Sequence, residues 1–178
     1  KRTHVLALNL TNVAKDKVEL PSEVTAQASV YGGTLDFNMK LNALADHPTF
    51  ALNAELKNAS LVLLNDFLKA YGNFDVSRGK FSMYTEMAAK GGKFAGYVKP
   101  LITDLEVMGP PDRNDNVFHT LWESIVGGIG FVFKNQKKDQ LGTKIRMEGD
   151  FKNPEMRTLD AVWEVLRNAF IQALIPSI

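Results

Sequence analysis

The segment from Leu35 to Asn42, read as LDFNMKLN, alternates apolar and polar residues without interruption. Because successive side chains of a β-strand point to opposite faces, a period of two predicts a strand with one apolar face. What covers that face, the protein itself or another molecule, decides how the function is interpreted.

The same alternation extends over most of the first two thirds of the chain, interrupted by turn signals rich in Gly, Pro and Asp at hairpin spacing. The signals lie at residues 31–33, 46–48 and 90–93. This pattern predicts antiparallel strands joined in a meander. The predicted strands cover residues 23–30, 34–44, 50–57, 80–87 and 94–107.

Helical periodicity appears at three places. Ser60 is predicted as the N-cap of a short helix that ends at Gly72. After the Gly109-Pro110-Pro111 break, the pattern predicts a helix over residues 117–134, a strand over residues 143–151 and a closing helix over residues 159–174. The closing helix is amphipathic because its apolar residues recur at i, i+3, i+4 and i+7.

These elements predict an α+β fold: a long, curled antiparallel sheet, resembling a groove, with amphipathic helices that include a C-terminal one. One domain covers residues 1–178, with a β meander and one short helix in residues 1–108 and a helix-strand-helix region in residues 109–178. Two arrangements are compatible with the pattern: a sheet whose apolar face is filled by its own core, and one that leaves an open apolar groove.

Composition excludes several classes of function. Lys and Arg total 21 against 20 Asp and Glu, and the basic residues are scattered, so the stripe of positive charge needed for nucleic acid is missing. Cysteine is absent, which excludes disulfides and thiolate metal sites. The chain starts with Lys1 and has no signal-peptide layout, so we expect a piece of a longer protein.

Catalytic and metal motifs are weak. His4, His47 and His119 lie far apart in sequence, and the glycines of residues 127–130 lack the strand and the Lys-Ser/Thr of a phosphate loop. Asp112, Asn114 and Asn116 match the first ligands of a calcium loop, with Glu123 at the twelfth position, but Val117 replaces the required Gly. A polar loop that caps a helix is the alternative. We expect no enzyme, no metal and no cofactor.

The apolar faces are therefore the candidate binding surface. If the sheet leaves a trough, the side chains that point into it contact acyl chains through non-directional contacts. The candidate lipid-binding residues are Leu35, Phe37, Met39, Leu41, Phe50, Leu52, Phe81, Met83, Met87, Phe94 and Val98.

Two segments resemble the AsmA-like bacterial envelope proteins, in particular the C-terminal region of uncharacterised members of that family. They are GKFxGxVKP at residues 92–100 and RNAF at residues 167–170. The resemblance extends from about Gly33 to the end of the chain. The Pro110-Pro111-Asp112 segment and the glycine-rich helix have no counterpart in it.

The resemblance implies a periplasmic protein of the Gram-negative envelope, anchored in the inner membrane by a segment outside this chain. It further implies a hydrophobic β-groove that conducts phospholipid between the inner and outer membranes. Because the family has no agreed catalytic residues, only the groove transfers to this sequence. Phospholipid, or another acyl-chain ligand, and other envelope proteins are the expected partners, and the membrane is a possible contact.

The closing helix allows two interpretations. Through Trp163, Leu166, Phe170 and Leu174 it either closes the groove or docks on a membrane, or else it packs over the sheet and completes the core. The alternative to lipid transport is a non-catalytic structural or protein-interaction domain. The sequence leaves open the lipid species, the direction of transport, the protein partners, the oligomeric state, the calcium question and the choice between groove and core.

Overall fold

A computed structural model describes residues 3–10, 18–72, 75–108, 132–135, 140–152 and 157–174. In these ranges nine strands form a single antiparallel sheet that does not close on itself, accompanied by two α-helices. The architecture is therefore α+β, as the sequence predicts. Within the described residues, no helix is both long enough and apolar enough to span a membrane.

The first four strands form a meander in sequence order. Each hairpin places its apolar positions opposite those of its neighbour, for example Met39 opposite Leu52. The strands are β1 (Thr3–Leu8), β2 (Ser22–Val30), β3 (Gly33–Asn42) and β4 (Thr49–Ser60). The tight β2–β3 turn uses Tyr31 and Gly32, both with positive φ.

An irregularity in β4 explains why Gly33 is glycine. The register between β4 and the next strand shifts between Leu56 and Ala59, and Asn58 between them has a φ of 57°. A Cβ at position 33 would lie 2.6 Å from the backbone nitrogen of Ala59. The bulge and the start of β3 therefore pack backbone against backbone, which only glycine permits.

A short helical segment follows β4. A 3₁₀ turn at Leu61–Leu64 leads directly into α1 (Asn65–Gly72). Ser60 stands at the predicted N-cap position, but its side chain makes no capping hydrogen bond. Asn65 instead connects the helix to the next strand: its Nδ2 donates to the carbonyl of Val76, and its Oδ1 accepts from the N–H of Val76, both at 3.0 Å.

Two long strands continue the sheet, β5 (Val76–Lys90) and β6 (Lys93–Val107), joined by Gly91 and Gly92 with positive φ. The remaining strands are β7 (Val132–Asn135), β8 (Gln140–Thr143) and β9 (Ile145–Asp150). Strands β8 and β9 share the far edge of β6, and β7 pairs with β8.

The C-terminal helix α2 (Thr158–Leu174) lies over the sheet and contacts β4, β5 and β6. Its first residue is fixed to the end of β3 because the Thr158 hydroxyl donates to the carbonyl of Asn42 at 3.0 Å. The core consists of the apolar side chains of β3–β6 and β9 together with those of both helices. Phe170 of α2 lies against Phe67 and Phe81, with ring centroids 5.8 and 6.3 Å apart.

One sequence prediction requires correction, and one neighbouring strand was not predicted. The helix predicted to reach Lys134 is wrong at its end, because Val132–Asn135 forms β7. The strand predicted over residues 143–151 corresponds to β9 (Ile145–Asp150), whereas the adjacent β8 (Gln140–Thr143) was not predicted. The error in the helix arises because a short apolar run matches the helical and strand periods equally well. The segment that partly matches a calcium loop, the glycines of residues 127–130 and His119 lie outside the described residues.

Candidate functional site

The register of the sheet divides its side chains into two faces, because residues directly opposite one another in an antiparallel ladder point to the same side. The apolar face carries the core. On the outer face, polar side chains form rows across the strands. One such row runs Leu6, Thr25, Asn38, Asn53, Glu86, Tyr97 and Arg146.

Burial along the apolar face falls steadily toward β1. One cross-strand row runs Val5, Ala26, Phe37, Ala54, Thr85 and Val98. Val98 is fully buried, Phe37 and Ala26 are half-buried, and Val5 is 59% exposed. The helix α2 covers the β4–β6 part of this face, and the cover ends before β1.

The uncovered part of the apolar face is here called the open apolar strip. It consists of side chains on β1, β2 and β3 that are exposed or half-buried. Its members are Val5, Val24, Ala26, Leu35 and Phe37. Antiparallel sheets usually turn polar side chains toward water, so this apolar surface that reaches solvent is the candidate binding surface of the described residues.

The predicted lipid-binding residues divide between the core and its margins. Leu35, Phe37 and Phe94 are half-buried and pack against the core from outside. The other eight are buried within it, in contact with neighbouring strands and helices. Those eight are Met39, Leu41, Phe50, Leu52, Phe81, Met83, Met87 and Val98.

The predicted residues of the closing helix also have different environments. Leu166 and Phe170 pack against the core, whereas Trp163 is 69% exposed, and Leu159 one turn earlier is 58% exposed. The side chain of Leu174 lies outside the described residues. The inner face of α2 therefore packs over the sheet, while its outer face presents an aromatic and an aliphatic side chain to the surroundings.

A cavity of about 500 Å³ lies on the outer face of β1–β4 and is here called the outer-face cavity. Six of its polar lining residues alternate with core positions, as the register requires. They are Thr25, Gln27, Asp36, Asn38, Asn53 and Glu55. Leu6 of β1, which is 48% exposed, contributes an apolar surface at one side.

Ion pairs and hydrogen bonds partly organise this outer face. Glu55 pairs with Lys57 in the cavity lining, and their hydrogen bond raises the pKa of the Lys57 ammonium. Outside the cavity, a hydrogen bond with Glu86 raises the pKa of the Tyr97 phenol, and the Lys144 ammonium lies 3.8 Å from the centre of the Tyr97 ring. Because these charged groups are largely exposed, they contribute little to stability.

A second cavity of about 670 Å³ lies at the other end of the outer face. Its floor includes Ala51, Ala88 and Ala95, which lie side by side on three adjacent strands. Lys90 and Lys93 lie at its rim with acidic neighbours, and Lys90 forms an ion pair with Glu19 at 2.6 Å.

Metal-binding chemistry finds no support in the described part of the chain, where no three His, Asp or Glu side chains come together. His4 lines the outer-face cavity, whereas His47 lies in the β3–β4 turn.

Two features of the site escaped sequence reasoning. Strand β1 was not predicted because THVLAL does not alternate cleanly; its Thr and Val are the available signal. The outer-face cavity was missed because its lining residues look like an ordinary solvated strand face in the sequence.

No protein-family model, curated protein or solved structure matches this chain.

Proposed function

We propose that this chain is a lipid-binding module of the bacterial cell envelope, and that acyl chains contact its open apolar strip. The supporting observation is the loss of cover along the row from Val98 to Val5, where one continuous apolar face passes from core to solvent. A hydrocarbon ligand that lies on the strip would complete the cover that α2 provides over β4–β6.

The free energy of removing methylenes from water favours a hydrocarbon ligand on the strip. Each methylene removed from water gains about 0.8 kcal/mol, so ten methylenes on the strip would contribute roughly 8 kcal/mol before the cost of ordering the chain. The strip is open on one side, so a bound chain remains partly hydrated and the net gain is smaller. Such binding is reversible, which suits a module that passes lipid onward rather than storing it.

The proposal assigns lipid contact to fewer residues than the sequence predicted. Leu35 and Phe37 belong to the strip, whereas the eight predicted residues inside the core support it from beneath. A lipid-conducting groove would then require further surface beyond the described residues to continue the strip.

The proposed location is the periplasm, with an inner-membrane anchor outside this chain and phospholipid movement between the two membranes. The resemblance of residues 92–100 and 167–170 to AsmA-like proteins motivates this part of the proposal. The exposed Trp163 and Leu159 on the outer face of α2 are consistent with contact at a bilayer surface, where an indole is favoured.

Lipid capture can be tested with two matched valines. The protein is expressed in a Gram-negative host, and co-purifying phospholipid is measured by native mass spectrometry and by organic extraction. Val5→Asp lies on the strip, while Val62→Asp changes an exposed valine on the 3₁₀ turn. We expect lipid on the parent protein and on Val62→Asp, and several-fold less on Val5→Asp. Equal lipid on both variants, or none on the parent, contradicts the proposal.

A structural or interaction domain is the second candidate, favoured by the edge of the sheet. Within the described residues β1 pairs only with β2, so one side of its backbone is free to bind another strand. The segment Thr3–Leu8 contains no Pro, Lys or other charged residue that would protect such an edge. Lipid-free protein that associates through β1, and loses association in Leu6→Pro, would favour this function.

A further inference from the structure

The outer-face cavity lies on the side of the sheet that the proposed lipid contact does not use. Its lining includes four amide and hydroxyl side chains, which can both donate and accept hydrogen bonds. Three are amides, Gln27, Asn38 and Asn53, and one is the hydroxyl of Thr25. They project from three adjacent strands, β2, β3 and β4, so their spacing is set by the sheet.

Two of the amides each donate one hydrogen bond to a neighbouring carboxylate. Gln27 Nε2 donates to Asp36 Oδ1 at 2.9 Å, and Asn38 Nδ2 donates to Glu23 Oε1 at 2.9 Å. Each bond uses one N–H and leaves the amide oxygen and the second N–H available. The part-buried Asn38–Glu23 bond restricts its amide more than the exposed Gln27–Asp36 bond does, and a ligand that binds a restricted amide loses less side-chain entropy on binding.

The other two groups have unused capacity. Neither the Thr25 hydroxyl nor the Asn53 amide forms a side-chain hydrogen bond with any residue in the described part of the chain. Thr25 lies directly opposite Asn38, and Asn38 lies opposite Asn53. Three neighbouring strands therefore present a short row of donors and acceptors to one ligand.

The charges in the cavity decide among ligand classes. Lys57 is paired with Glu55, and Asp36 accepts a hydrogen bond from Gln27, so the lining, which also includes His4, carries one more carboxylate than ammonium. A phosphate or carboxylate would meet that negative charge and no free cation. A cationic ligand would bind one carboxylate and would leave the amides without a hydrogen-bond partner. Hydroxyl groups, each a donor and an acceptor, match the amides and the threonine together.

We infer that the outer-face cavity binds a neutral saccharide. The amides and Thr25 hydrogen-bond the sugar hydroxyls, and the exposed side chain of Leu6 contacts the apolar C–H surface of the ring. The inference does not rest on the lipid proposal, because the amides and Thr25 lie on the opposite face of the sheet from the open apolar strip, although Ala26 and Phe37 of the strip also line the cavity. The sugar comes either from a free glycan or from the headgroup of a neutral glycolipid.

Saturation-transfer NMR on the intact chain tests this inference with cellotriose, maltotriose and fully N-acetylated chitotriose as neutral soluble probes. Vesicles containing a monoglucosyl diacylglycerol provide the lipid-linked probe, against vesicles of the same composition without it. Binding of a soluble trisaccharide supports the site and identifies a free glycan as its source. Binding only to the glycolipid vesicles supports the site and identifies a headgroup. Binding to none of the four probes overturns the inference.

Three variants locate the binding. Thr25→Val and Asn53→Leu keep the side-chain size and remove hydrogen-bonding atoms, and each should weaken sugar binding roughly fivefold. Thr103→Val is the matched control, because Thr103 is a half-buried threonine on β6 remote from the cavity. Circular dichroism establishes that all three are folded. Equal affinity in Thr25→Val, Asn53→Leu and Thr103→Val refutes the site, and sugar binding in Val5→Asp should be unchanged even if lipid binding is lost.

Discussion

Replacing two phenylalanines on the same face of the sheet distinguishes core from open surface. Phe81 on β5 is fully buried and lies edge-to-face against Phe170, with 6.3 Å between ring centroids. Phe37 on β3 points to the same face but is half-buried in the open apolar strip. The two residues share chemistry and secondary structure, so they differ mainly in cover.

The expected costs follow from that cover. Phe81→Ala loses the transfer energy of the ring and leaves a cavity that the surrounding strands and α2 cannot fill, at about 3–5 kcal/mol. Phe37→Ala loses about half the burial energy of a phenylalanine, roughly 1 kcal/mol, and leaves no enclosed cavity because solvent reaches the site. For a domain of this size, the melting temperature falls about 2–4 °C per kcal/mol.

Urea denaturation followed by circular dichroism measures both variants, with the unchanged m-value as the check on two-state behaviour. We expect a large fall in the midpoint for Phe81→Ala and a small one for Phe37→Ala. Equal losses of 3 kcal/mol or more would mean that protein covers Phe37 as fully as Phe81. The open apolar strip would then not exist, and the lipid proposal would fail with it.

Two further perturbations test the packing and the electrostatics of the sheet. Gly96→Ala should destabilise the β5–β6 hairpin by several kcal/mol, because a Cβ there would collide with the Glu86 carbonyl oxygen and lie 2.8 Å from the Met87 Cα. Gly91→Ala is the control: a Cβ there meets no atom within 4 Å, so this variant should cost only about 1 kcal/mol for its positive φ. Similar urea midpoints for the two variants would contradict the close approach at Gly96. The hydrogen bond with Glu86 raises the pKa of Tyr97, so the neutral phenol is favoured in the folded state; its contribution is fully present below the unfolded pKa of about 10 and is lost as pH rises through the folded value. The urea midpoint should therefore fall less steeply between pH 9 and 11 in Tyr97→Phe than in the parent, and parallel profiles would exclude the bond.

Local sequence patterns predicted the hairpins well because each side chain in a strand points to one of two faces, which gives the sequence its period of two. The β2–β3 turn at Tyr31 and Gly32 and the β5–β6 turn at Gly91 and Gly92 follow from residues that tolerate positive φ. The end of α1 at Gly72 and the position of α2 follow from helical spacing in the same way.

Prediction failed where pairing rather than pattern determines structure. Strand β1 is exposed at all six positions, so no buried face imposes alternation on its sequence. Strand β7 exists through its pairing with β8, and its short apolar run alone matches a helix equally well.

The sequence by itself determined which side chains share a face, because the two-residue period of a strand is a local property of the backbone. Only the tertiary structure decided which of those side chains are core, since that depends on where α2 lies across β4–β6. Met39 and Phe37 are indistinguishable in the pattern LDFNMKLN, yet one is buried and the other reaches the open apolar strip. The physical reason is that alternation depends only on which face of the strand a side chain points to, whereas burial depends on whether a distant part of the chain packs against that face.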